Sequence, residues 1–120
     1  MDRHGVASRI RELIGVRDRR ELASIAARLS VSEMALRMSI DDLSPHPTIE
    51  ILVSIVRTYG VDPTWLLYGE YRSASHIEAA TAEETGGREA VTRLVKRLLD
   101  DRDTARGIQH RTSVDRDQFG

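Results

Sequence analysis

The sequence has no cysteine, which excludes disulfide scaffolds, thiol catalysis and thiolate metal sites. Aromatic residues are scarce, at 4%. They are Tyr59, Trp65, Tyr68, Tyr71 and Phe119. Strands favour aromatic and β-branched side chains. This chain is instead rich in Ala, Leu, Arg and Glu, which favour helix. The expectation is an all-α fold. Apolar runs never exceed about four residues, too short for a membrane span. The opening Met1-Asp2-Arg3-His4-Gly5 lacks the apolar stretch of a signal peptide, so a cytoplasmic protein with no membrane partner is expected. Lysine is nearly absent: Lys96 is the only one among 18 basic residues.

What is present is ordinary for a folded domain. The chain has 120 residues, 40% hydrophobic and 31% charged, enough for one core with an appendage. The net charge of −1 carries no global nucleic-acid signal, but the charge is unevenly placed. Residues 1–28 hold seven arginines against four acids, a balance of about +3. Residues 29–70 hold two arginines against six acids, about −4.

Helix boundaries are written locally. Val6, Ile10, Leu13 and Ile14 form one apolar stripe on a helix over about 3–15, ended by Gly15. Asp18 and Glu21 make a capping-box pattern for a second helix, with Leu22, Ile25, Ala26 and Leu29 inward. Ser32 caps a third helix over about 33–40, with Leu36 and Ile40 inward and Met34 or Leu43 as further core candidates. Pro45 and Pro47 forbid a continuous helix there. Thr48 then caps a fourth helix, 49–59, closed by Gly60. Asp62 with Pro63 at the first helical position opens a fifth, 63–68, which brings Trp65 and Leu66 to the core before Gly69. Residues 71–87 are small and polar, with a loose helical turn near 76–84 and a helix boundary at Gly86-Gly87. Residues 88–103 form an amphipathic helix with Val91, Leu94, Val95, Leu98 and Leu99 on one side. Residues 104–120 read as a polar, flexible tail.

No catalytic constellation emerges. There is no Ser-His-Asp pattern, no paired carboxylates and no glycine-rich phosphate loop, so no enzyme and no cofactor is expected. The histidines at 4, 46, 76 and 110 lack ligand spacing, and Asp41-Asp42 lacks the spaced acids of a cation loop, so no metal is expected.

Five short helices with a tight turn between the second and third outline a helix-turn-helix domain. Ile25-Ala26-Ala27-Arg28-Leu29-Ser30-Val31-Ser32 resembles the "L-A-x-x-L-G-V-S" core of the lambda-repressor-like (Xre/Cro-type) family. Tyr59-Gly60-Val61-Asp62-Pro63-Thr64-Trp65-Leu66-Leu67-Tyr68-Gly69-Glu70 is similar to the "L-G-V-x-P-x-W-L-L-x-G-E" ending of the same domain. The resemblance covers about residues 5–70 and implies a helix-turn-helix domain over 1–70. It implies a transcription regulator, of the repressor type, that binds double-stranded DNA at a two-fold operator as a homodimer. Carried over by position, Glu33, Met34, Arg37 and Met38 would face the bases, Arg17, Arg19 and Arg20 would meet phosphate, and Ser32 belongs to the same DNA-binding set. The sequence departs from the family pattern where Glu33, Met34 and Met38 stand at reading positions and where Asp41-Asp42 replaces a glycine turn. Those departures favour an alternative: the same fold used as a protein-interaction module, with a protein partner and weak or lost DNA binding. The second region, 71–103, is expected to dimerise the chain through Val91, Leu94, Val95 and Leu98, because an apolar stripe must be buried somewhere.

Overall fold

The computed structural model describes residues 1–15 and 19–119; side chains are described for 1–15 and 20–101. The described residues are helical, with no strand among them: α1 (Arg3–Ile14), α2 (Arg19–Leu29), α3 (Glu33–Ser39), α4 (Ile49–Tyr59), α5 (Pro63–Tyr68) and α6 (Ser73–Phe119). The helix starts follow side-chain capping. Asp2, Ser32, Thr48 and Asp62 each accept an amide of the first turn that has no intrahelical partner. The expected cap of α2, Asp18, lies outside the described residues.

α4 is the central element. Its residues Ile51 to Val56 are all buried, Ser54 included. α2 and α3 pack on each other and on one side of α4, α1 packs on α5, and α6 lies across α4 and α5. Ile10, Leu36, Ile51, Leu52, Ile55, Leu66 and Leu67 are the largest side chains fully removed from water. Leu13 and Trp65, expected in the core, are only partly buried and pack against its edge. Met34 and Leu43 do not join the core; they are 69% and 90% exposed. Arg9 on α1 donates from Nε to the Leu66 carbonyl at 2.8 Å, tying the first helix to the fifth. Its partial burial pulls the guanidinium pKa down, against the opposing pull of Asp2.

The largest departure from the sequence reading is at 71–103. In place of a loose turn, α6 begins at Ser73 and runs to a break at Gly87, where φ is 61° and ψ −145°. That conformation is open essentially to glycine alone. Its neighbour Gly86 is needed for space, since a Cβ there would stand 2.6 Å from the Cβ of Ala90. The break turns the second limb, from residue 88, so that Val91, Leu94 and Val95 are buried in the same core cluster as α1, α4 and α5. This corrects the expected dimer seam. The stripe is covered by its own chain, and with it goes the burial argument for a second copy. Leu98 is partly buried beside that cluster, and its carbonyl accepts the Tyr68 hydroxyl at 3.1 Å. The expected tail, 104–120, falls on residues whose side chains lie outside the described ones.

Candidate nucleic-acid interface

α3 has seven residues and two faces. Leu36 and Ser39 point into the protein, and Ser39 closes back on the Ala35 carbonyl at 2.8 Å. Met34, Arg37 and Met38 lie on the outer side, all exposed, with Glu33 half-buried beside them. Ser32 is committed to structure, its Oγ accepting from the Ala35 amide at 3.0 Å.

The loop after α3 is held from two directions. Asp41 Oδ2 accepts the amides of Leu43 at 3.1 Å and Ser44 at 2.7 Å. The His46 amide returns to the Met38 carbonyl at 2.8 Å. Arg11 of α1 donates to the Ile40 carbonyl at 2.6 Å and sits 3.3 Å from Asp42. Asp41 and Asp42 therefore act as a turn builder and an anchor for Arg11. Arg11 is a positioning residue that the sequence reading counted only as charge. Its partners are 29 and 31 positions away, and no local pattern announces such a contact.

The electrostatics of the outer face are nearly balanced. Arg37 donates to Glu33 at 2.9 Å, an i,i+4 pair with both side chains substantially exposed. Such pairs are worth only about 0.3–0.5 kcal/mol, so a phosphate or a guanine edge can displace the carboxylate at little cost. Arg20 is exposed at the start of α2. Arg17 and the side chain of Arg19 lie outside the described residues, so the phosphate-contact set is only partly placed. Among the described residues no group of histidines and carboxylates forms a metal site, and no helix is long and apolar enough to cross a membrane.

Away from α3, a bidentate pair fastens α4 to α6. Arg57 Nε and Nη2 donate to the Glu83 carboxylate at 2.7 and 2.9 Å. The hydrogen bonds from Arg57 hold the Glu83 pKa below its ordinary 4.5 and raise that of the arginine. A depressed carboxylate stabilises the fold above its ordinary pKa and loses that contribution as pH falls through the depressed value. The pair is solvent-exposed, so the effect is small. Glu83→Gln should therefore be slightly less stable than the parent at neutral pH, and the gap should close below pH 4.5; urea melts of both proteins across that range measure it.

No family model matches the chain, and neither the curated proteins nor the solved structures searched contain a match to it. The lambda-repressor-like reading thus stands on the residues and the helix order.

Proposed function

We propose that the chain is a sequence-specific DNA-binding regulator of the lambda-repressor-like helix-turn-helix type, with α2 and α3 as the helix-turn-helix and α3 as the reading helix. The observation that carries this is the outer face of α3. Met34, Arg37 and Met38 lie uncovered side by side on one short helix, the methionines being two of five large hydrophobic side chains left exposed among the described residues, while both ends of the helix are fixed by Ser32 and by Arg11. In this reading Arg37 reaches base edges, the methionines contact thymine methyl groups, and Arg19 and Arg20 meet phosphate from the start of α2. Two-fold operator binding as a homodimer remains part of the proposal through the resemblance. Its interface must lie elsewhere than Val91, Leu94 and Val95, which are consumed in the core.

A second reading is favoured by one specific observation. Glu33 and Arg37 neutralise each other, leaving Met34, Met38 and Leu43 as an exposed apolar group, which suits a protein partner better than a polyanion.

Selection from a pool of random duplexes at two salt concentrations separates the two. Under the first reading Arg19→Ala and Arg20→Ala weaken binding to all sequences alike, and each lowers the salt slope by about one. Arg37→Ala instead changes which sequences are enriched. A pool that shows no enrichment even at low salt would reject DNA reading and leave the interaction module.

A further inference from the structure

At the C-terminal end of α2, α4 and the break in α6 enclose an open cleft of about 310 Å³. Arg28, Arg57 and Arg88 converge on it from three different helices, with Ser30 and Thr58 on its walls and Glu83 as its one acid. The three guanidiniums are unequally engaged. Arg57 is held in the fork with Glu83. Arg88 has only long contacts, 3.8 Å to Glu50 and 3.5 Å to Ser54. Arg28 is exposed and has no ion pair among the described residues. The cleft thus carries a balance of about +2 among its lining side chains, with most guanidinium donors unspent.

Ser54 adds an independent observation. It lines the cleft from the middle of the buried face of α4 and is only 4% exposed. Buried helical hydroxyls usually satisfy themselves on the carbonyl four residues back. The buried Ser39 does so here at 2.8 Å, as do the exposed Thr85 and the half-buried Thr92 at 2.9 and 2.7 Å. Ser54 makes no such bond; its oxygen accepts the weak contact from Arg88, and its proton has no acceptor among the described residues. A buried hydroxyl with a free proton, facing a cleft lined by arginines, is a donor waiting for an acceptor.

We propose that this cleft binds a small phosphomonoester. Three guanidiniums and the hydroxyls of Ser30, Ser54 and Thr58 supply more donors than the two oxygens of a carboxylate can accept. A phosphate monoester offers three terminal oxygens and a charge of about −1.5 to −2, and Arg forks match its geometry. The volume suits a small metabolite. Gly87 is part of the design, because its turn is what sends Arg88 back over α4. Ser30 lies in the α2–α3 connection, so an occupied cleft touches the turn that sets α3. That regulatory consequence rests on the proposed function; the binding itself does not.

The test is an NMR titration of the full chain, without DNA, using inorganic phosphate and ribose 5-phosphate against sodium chloride of equal ionic strength. The expected result is saturable shifts at Ser30, Ser54 and Thr58 with both phosphates and none with chloride, ribose 5-phosphate binding more tightly if the cleft also holds the ester's carbon skeleton. Equal affinities assign the cleft to free phosphate, which keeps its chemistry and narrows its source. Arg28→Ala, which removes no ion pair or side-chain hydrogen bond within the described residues, should weaken binding about tenfold. Glu83→Gln, which frees Arg57 from its carboxylate, should tighten it severalfold, an effect that a merely structural Glu83 would not produce. Shifts that never saturate, or an Arg28→Ala protein that binds as the parent does, would overturn the proposal. Because no DNA is present, this outcome is independent of whether the chain reads an operator.

Discussion

Asp62→Ala should lower the unfolding free energy by about 2–4 kcal/mol, the sum of a lost helix cap and of buried donors left unpaired. Asp62 is 2% exposed and has no ion-pair partner among the described residues. Its carboxylate is satisfied by four neutral donors instead. The amides of Thr64 and Trp65, each at 3.2 Å, belong to the first turn of α5. The Arg72 amide at 2.7 Å and the Ser75 hydroxyl belong to the entry of α6. Thr64 closes the group by donating to Ser75 at 2.7 Å. One side chain therefore starts one helix and fastens the next. Asp62→Asn keeps one acceptor oxygen and should cost roughly half as much, since some of the four donors still find a partner. Urea unfolding followed by circular dichroism measures both, and the midpoint should move with little change in slope. A loss below about 0.5 kcal/mol for the alanine variant, the range of ordinary surface changes, would mean that water replaces the carboxylate and that the joint is not structural.

Leu94→Glu, or Val91→Asp, should abolish cooperative folding or cost more than about 4 kcal/mol, because each places an unpaired carboxylate in the core. Val91 and Leu94 are 1% and 5% exposed within a single chain. Leu94→Ala, which only leaves a cavity, should cost about 2–5 kcal/mol. The pair of experiments also decides how the stripe is used. If it were a seam between two copies, Leu94→Glu would give a well-folded monomer in sedimentation, with α1 to α5 melting as before. Packing in cis predicts instead that the loss of α6 carries α4 and α5 with it, since those helices share its core. A folded, monomeric Leu94→Glu protein would refute the placement of the second limb of α6.

How much of this was legible beforehand follows from the range of the forces involved. The caps at Ser32, Thr48 and Asp62, the glycine ends at 15, 60 and 69, and the inward set on α2 were readable from the sequence. Each depends on residues within one or two turns of each other, and a hydrogen bond or an apolar stripe at that distance is written directly in the spacing. The face of α3 was only partly legible: spacing left Met34 a core candidate, and its outward place beside Arg37 and Met38 followed from the family resemblance alone. The joining of Asp42 to Arg11 was not legible, since 31 positions separate them.

The amphipathic stripe at 91–98 shows most clearly what sequence alone determines. The sequence decides that those side chains must leave water, because several exposed aliphatic side chains are not tolerated on a soluble surface. It does not decide what covers them, since the area buried is the same against the chain's own α4 as against a second copy. That choice was made by the Gly86-Gly87 break, whose angle brings the second limb onto α4, and by Asp62, which fixes where α6 begins. The same docking assembles the arginine-lined cleft from residues 28, 57 and 88, which have nothing in common until three helices meet.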